Sequence, residues 1–214
     1  MVSIGVIAFM SINSTLWNQT LETIKRRHSI RMFTSQLIPD DYLQIILNAA
    51  NMAPSAHNQQ SWRFIIIRGE KKRELVELVN SKAAVFPKSS SVLLRMASRS
   101  IASAPVVVAV ANTGDLIDHG TKLFQTGRER ALDFFRTMEI QSSAAAVQSL
   151  LLAATSLGLA TVWLGILFLI KDEVLELLGE PKGEFMAVIP IGYAAKESRG
   201  PEKRPLNVII KQLN

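Results

Sequence analysis

The chain has no cysteine. That one absence excludes disulfide scaffolds, zinc ribbons, thiolate iron–sulfur sites and thiol catalysis together. Histidine is nearly as scarce: His28, His57 and His119 are the only three, none paired at a ligand spacing, so no protein-built metal site is expected. Aromatic residues make up 7% and do not alternate with basic ones, which argues against a base-stacking strip for nucleic acid. Charged residues stand at 20% and hydrophobic ones at 48%, the balance of a globular chain rather than a disordered one. A length of 214 residues suits one domain with a sizeable core and is short for two.

Long hydrophobic runs are also few, and the two present do not read as membrane signals. The opening MVSIGVIAFM is apolar but lacks the basic stretch and small-residue cleavage site of a signal peptide, so residues 1–14 are expected to be a tail. From Ile140 to Ile170 no residue is charged, and about twenty apolar residues suffice to span a bilayer. Gln141, Ser142, Ser143, Gln148, Ser149, Thr155, Ser156 and Thr161 are scattered through this run, however, and Gly158 interrupts it. It reads as a buried helix (140–157), a glycine stop and a buried strand (159–164). No membrane partner is expected, and the location expected is cytoplasmic.

What is present has helix and strand periodicity with no repeat or linker. A helix over 16–26 ends in Lys25-Arg26-Arg27, which suits the negative end of a helix dipole. Pro39-Asp40-Asp41 starts a second, with Leu43, Ile46, Leu47 and Ala50 on one apolar face until Ala53-Pro54. A polar loop, Pro54–Ser61, leads to a strand over 64–68, and a surface helix over 70–80 follows. The run PVVVAVA at 105–111 predicts a strand covered on both faces. Residues 112–137 carry mixed charges around Phe124, Phe134 and Phe135 and read as a peripheral helix or lid. A short helix over 171–178 stopped by Gly179, a strand over 185–191 and a basic, proline-bearing tail complete the chain. Helices flanking a few non-hairpin strands imply an α/β or α+β sandwich.

No serine–histidine–acid set, paired carboxylates, GxGxxG or P-loop is present. If the chain is an enzyme, a cofactor carries the chemistry. There are 24 basic and 18 acidic residues, a net charge of +6; nucleic acid, a phosphorylated cofactor and a solubilising surface all fit, a small-molecule phosphate best. Arg26-Arg27-His28-Ser29-Ile30-Arg31 gathers guanidiniums and a hydroxyl where a helix becomes a loop, either an anion cradle or a solvated basic helix end. The amide-rich loop Pro54–Gln60 is either an ordinary turn or a surface that reads the edge of a heterocycle. Gly165, after Trp163-Leu164, permits close backbone approach to a ligand or simply ends a strand.

In these residues the sequence resembles the nitroreductase family of FMN-dependent oxidoreductases. Arg26-Arg27-His28-Ser29-Ile30-Arg31-Met32-Phe33 is similar to its RRSxRxF, and Ala53-Pro54-Ser55-Ala56-His57-Asn58-Gln59-Gln60-Ser61-Trp62-Arg63-Phe64 to its APSxxNxQPWxF. Gln148–Ala154 and Leu157–Gly165 resemble its central helix and strand, and Ile189–Tyr193 with Lys203-Arg204-Pro205-Leu206 its C-terminal end. The matches run in order from about Ile24 to Ile209.

The resemblance implies an α+β, three-layer α-β-α sandwich with a mixed, mainly antiparallel sheet, spanning 15–214 and built as an intertwined homodimer with FMN at the interface. Arg27, His28, Ser29 and Arg31 would bind the flavin from one subunit, with Lys203 and Arg204 folding back to the phosphate. Pro54, Ser55, Ala56, Asn58 and Gln59 would come from the other. The backbone N–H groups of Leu164 and Gly165 would face flavin N5 and O4, and Phe124 and Arg99 would belong to the substrate pocket. The reaction implied is ping-pong: NAD(P)H reduces the flavin, then a nitroaromatic, quinone or related small acceptor takes the two electrons. Dehalogenation, flavin fragmentation and a flavin-binding module without turnover are the alternatives. Ser61 stands where the family has proline and is expected to loosen the loop; Leu164 stands where some members have glutamate.

Overall fold

The strand β2 (Val106–Asn112) is buried along its whole length, and its alternation divides the molecule. Val107, Ala109 and Ala111 enter one core, while Val106, Val108 and Val110 enter another on the opposite face, as successive side chains of a strand must. The first core is covered by α3 (Gly69–Ala83), α4 (Lys88–Ser103) and α7 (Lys171–Leu177), through Leu75, Val79, Leu94, Ile101 and Val174. The second is covered by α2 (Asp40–Asn51) and α6 (Arg128–Ser156), through Leu43, Ile46, Val147, Leu150 and Ala154. The result is the expected α+β, three-layer sandwich. It is seen in a computed structural model that describes residues 16–125, 128–180 and 182–213; the expected tail, 1–14, lies outside them.

The sheet has the order β1-β2-β4-β3, with β1 at Trp62–Ile67, β3 at Ala160–Thr161 and β4 at Glu184–Gly192. All its pairings are antiparallel. The parallel element is a single bridge, Ser29 to Thr161, which adds the basic segment to the β3 edge. A bulge between Val110 and Ala111 shifts the β2–β4 register.

Three sequence expectations change. The strand over 159–164 shrinks to Ala160–Thr161, because the chain turns after it; Leu164 N–H still donates to Val188 O at 2.9 Å, and a 3-10 turn runs from Gly165 to Ile170. The helix over 140–157 begins at Arg128 instead. Its buried face extends back through Ser143, Glu139, Phe135 and Ala131, at helical spacing, while Glu129, Arg130, Asp133 and Arg136 take the solvent side. The region 112–137 thus becomes a short helix, α5 (Asp115–Phe124), followed by the start of α6.

The α4 helix fills a stretch with no predicted element. Lys72 Nζ donates to the carbonyls of Ala104 at 2.6 Å and Ala102 at 3.3 Å, tying α3 to the end of α4; burial pushes the Lys72 pKa down. Gly158 (φ +77) and Gly179 (φ +76) stop α6 and α7 in the left-handed region, as expected. No helix among the described residues is long and apolar enough to cross a membrane.

Candidate functional site

The basic segment is positioned by the sheet edge. The first helix, α1 (Gln19–Arg26), ends when Arg27 turns extended, at φ −61° and ψ 120°, its N–H donating to Thr23 O at 3.0 Å. Ile30 N–H then donates to Thr161 O at 2.9 Å, and Ala195 N–H to Met32 O at 3.0 Å. Neighbours in an extended segment face opposite sides. His28 and Ile30 line a cavity of about 660 Å³ with Lys25, Arg26 and Arg199. Arg31 lines a different cleft of about 190 Å³ with Leu93, Met96, Trp163, Leu164 and Gly165. Arg27 and Ser29 line neither cavity.

The cleft floor is the turn that follows β3. Leu164 N–H is taken up by Val188 O, so this amide, expected to face a ligand, is spent within the sheet. Gly165 opens the 3-10 turn, and the first N–H groups of a helical turn have no partner inside it. A Cβ built on Gly165 meets nothing within 4 Å. The backbone there is open to whatever occupies the cleft.

His28 has a different occupation. Its Nδ1 lies 2.9 Å from Arg26 O and its Nε2 3.0 Å from Ser198 Oγ, so both ring nitrogens are engaged within the chain. Gly200 packs on it so closely that an added Cβ would lie 2.9 Å from His28 Cβ. The imidazole therefore pins the tail at 198–200, three residues before Lys203 and Arg204, beside the basic segment. Lys203 and Arg204 are exposed, and neither they nor Arg27 and Arg31 form an ion pair among the described residues.

The polar loop is a strained, internally bonded turn. His57 (φ 53), Asn58 (φ 52) and Gln60 (φ 50) are all left-handed, a region costing non-glycine residues of order 1 kcal/mol each. Gln60 N–H donates to Ser55 Oγ at 3.1 Å, and Gln60 Nε2 to Asn58 O at 3.0 Å. From outside, Ala56 N–H donates to Ser142 Oγ at 3.1 Å, and Trp62 Nε1 to Asn51 Oδ1 at 3.0 Å. Ser61, expected to loosen the loop, does the opposite. It is buried, its carbonyl accepts from Thr113 N–H at 3.2 Å, and its Oγ lies 3.1 Å from Leu116 N.

That same Leu116 N–H donates to Glu139 Oε1 at 2.8 Å, a residue that sequence reasoning missed. Glu139 is 1% exposed, and burial pushes its pKa up. The Leu116 amide, the Ser61 hydroxyl and the Ile117 amide pull it back down, and Asp115 adds to the rise. Carrying the buried period of α6 back from Leu150 through Val147 and Ser143 reaches this position, the last charge before the uncharged run.

Above the loop sits α5. The His57 ring lies 5.8 Å from His119 and 6.0 Å from Phe124, and Phe124 lies 5.6 Å from Phe135. Phe124, expected in a substrate pocket, is thus beside the polar loop. Arg99 is exposed on α4, whose Leu93, Met96 and Ala97 line the cleft; Arg99 is not among the cleft residues. The structure brings Arg31 together with Leu164 and Gly165, and the tail together with His28. It does not bring Pro54, Ser55, Ala56, Asn58 or Gln59 into that cleft.

The protein is 30% identical over 180 residues to a Methanothermobacter thermautotrophicus protein whose name carries both NADH dehydrogenase and NAD(P)H nitroreductase, covering 82% of this chain and 78% of the relative. It is 25% identical over 205 residues to the iodotyrosine dehalogenase 1 homolog of Caenorhabditis elegans, covering 89% of this chain and 60% of that one. In fold it matches a nitroreductase with bound FMN from Desulfitobacterium hafniense, with a TM-score of 0.71 and 23% identity, covering 93% of this chain and all of the other. The nitroreductase family model matches residues 24–193, a span that holds the basic edge segment, the strained loop and the Gly165 turn alike, and the chain belongs to the nitroreductase family.

Proposed function

We propose that this chain is an FMN-dependent NAD(P)H oxidoreductase acting on a nitroaromatic, quinone or related small acceptor. The observation that carries the reading is the shared cleft of Arg31 and Gly165: a guanidinium with no ion-pair partner among the described residues lines it together with a turn whose backbone is open to close approach. The residues fit FMN. Arg27, Ser29 and Arg31 offer donors for a phosphate and its polyol, Lys203 and Arg204 follow the tail segment that His28 clasps at Ser198 and add two exposed cations, and the Leu93, Met96 and Trp163 side chains give the ring system apolar walls.

FMN, when bound, supplies two-electron chemistry, accepting hydride from NAD(P)H and passing electrons to the acceptor. The chain supplies orientation and charge. Arg31 presents a fixed cation in a cleft with apolar walls, where it opposes the negative charge that builds on a reduced ring. A ring seated against the apolar walls would cover them from water, and the strained loop is set in advance, so binding does not have to order it. Arg31→Ala removes a charge-assisted contact of about 1.5–3 kcal/mol and is expected to weaken FMN binding about 10- to 150-fold, measured by fluorescence titration.

A second copy of the chain completes the site. The residues Pro54–Gln59 do not line the cleft of their own chain, and Leu37, Ile45, Met52, Leu93, Met96 and Ile209 are large apolar side chains left exposed. Such surface is typical of an interface. A homodimer that carries the partner's loop to each cleft satisfies both observations.

The test is the visible spectrum of the purified protein after incubation with FMN, with NADH and then NADPH added anaerobically. Bound flavin bands that bleach with one nicotinamide establish the oxidoreductase and its donor. No bound flavin refutes it. The similarity to the Caenorhabditis elegans dehalogenase homolog supports a second reading, reductive dehalogenation; loss of halide from a halotyrosine with no turnover of nitro or quinone acceptors would favour it.

A further inference from the structure

We infer that Glu139 is a positioning residue, clamping Ser61 at the end of the polar loop to the first turn of α5 and so fixing where His119 and Phe124 stand over His57. The α5 helix begins at Gly114, which offers no side-chain cap; Thr113 Oγ1 reaches only Asp115 N–H, at 3.4 Å, and Leu116 N–H has no acceptor within the helix. Glu139, from another helix, takes that place through Leu116 N–H at 2.8 Å, and Ser61 Oγ reaches the same amide at 3.1 Å. One turn further along α6, Ser142 Oγ accepts from Ala56 N–H at 3.1 Å. A single face of α6 therefore holds the loop at both ends, near Ala56 and at Ser61, and holds α5 by the same carboxylate.

The arrangement is costly in a way that packing alone does not explain. Glu139 is 1% exposed, and its Oε2 has no partner among the described residues, nor has Nδ2 of neighbouring Asn112. Asn112 is joined to the same helix face through Ser143 Oγ. A buried carboxylate with part of its bonding capacity unused is less stabilising than an apolar side chain of similar volume. What it provides here is direction: it joins three elements, β1's approach, α5 and α6, at one point. Three left-handed residues in the loop need such outside restraint, and the aromatic contacts of His57 with His119 and Phe124 transmit the placement to the candidate acceptor side. The functional half of this inference rests on the proposed flavin reading.

The experiment is hydrogen exchange by mass spectrometry on the full chain, comparing Glu139→Leu, Glu139→Gln and Ser61→Ala, with acceptor kinetics alongside. Glu139→Leu is expected to speed exchange about tenfold or more in segments 56–61 and 115–124 while β2 and β4 stay protected. Glu139→Gln, which keeps an acceptor for Leu116 N–H, is expected to restore most of the protection. Acceptor KM should rise in Glu139→Leu with the rate of flavin reduction by nicotinamide unchanged. Wild-type exchange in both segments, or a glutamine no better than leucine, overturns the clamp. If Glu139→Leu fails to fold, Ser61→Ala decides, with faster exchange at 115–118 expected and unchanged exchange refuting. A wild-type chain that never binds FMN would refute the flavin reading while leaving the exchange result to judge the clamp.

Discussion

Replacing Gly120 by alanine tests how tightly α5 is seated. In an exposed helix the change would stabilise by about 1 kcal/mol, because glycine is the poorer helix former. Here it meets Phe135: an added Cβ would lie 2.2 Å from Phe135 Cζ and 2.3 Å from Cε1, far inside the 3.5–4.0 Å at which carbon contacts are favourable. The ring has little room to retreat. It is 2% exposed and bounded by Phe134 at 5.1 Å, Phe124 at 5.6 Å and the buried Leu116 and Ala131. Overpacking of this kind costs about 1–3 kcal/mol, so the steric term exceeds the propensity term by roughly 0–2 kcal/mol. Because Leu116, Ala131 and Phe135 form a core cluster apart from the two main ones, the loss should appear as local opening of α5 rather than global unfolding. Amide exchange over 115–124 is expected to accelerate up to about thirtyfold, while the β2 and β4 amides are unaffected. In a Phe135→Leu background, compared with Phe135→Leu alone, the same Gly120→Ala change should have the opposite sign, leaving the propensity gain. If Gly120→Ala slows exchange in α5 with Phe135 in place, the close packing of α5 on α6 is wrong.

Gly165→Val separates ligand approach from stability. Its Cβ enters open space, so the chain without flavin should change stability by less than about 0.5 kcal/mol, while FMN affinity falls about tenfold or more as the side chain occupies the cleft; equal affinity would remove Gly165 from the site. The raised pKa of Glu139 fixes the sign of a pH effect. Its stabilising contribution is fully present below the ordinary glutamate value of 4.5 and is lost as pH rises through the higher folded value. Urea melts from pH 4 to 8 should therefore show wild type losing stability relative to Glu139→Gln as pH rises, and a pH-independent difference would mean the carboxylate is not desolvated.

The fold was legible wherever a single period ran without interruption. PVVVAVA predicted a strand covered on both faces because only a two-sided core tolerates seven apolar residues in a row, and the strand is buried throughout. Gly158 and Gly179 predicted helix stops because their backbone must turn left-handed, and both do. Periodicity failed where tertiary contacts set the boundary. The strand after Gly158 is cut short because Gly165 begins a turn, yet Leu164 still bonds Val188, so composition showed an apolar run and could not show where its ladder ends. Charge misled at the start of α6, where Glu129, Arg130, Asp133 and Arg136 obscured a buried stripe through Ala131 and Phe135.

The same contrast holds for the site. Residues that would touch a ligand through their own chemistry can be singled out by type, as the guanidiniums of Arg27 and Arg31 and the glycine at 165 are, and the structure brings Arg31 and Gly165 to one cleft. Residues that act through others cannot be. His28 was grouped with the anion binders because a basic run surrounds it, but its two nitrogens clasp Arg26 O and Ser198 across 170 positions of sequence. Ser61 looked like a weakened proline position, and Glu139, between the 112–137 region and the helix expected from 140, drew no reading at all. Their meaning exists only where α5, α6 and the loop meet, and no local pattern records a meeting of segments 55 and 23 residues away from Leu116. Two residues with unremarkable local sequence thus carry the restraint on which the strained loop depends, and a substitution that keeps every ligand-touching side chain can still displace the site.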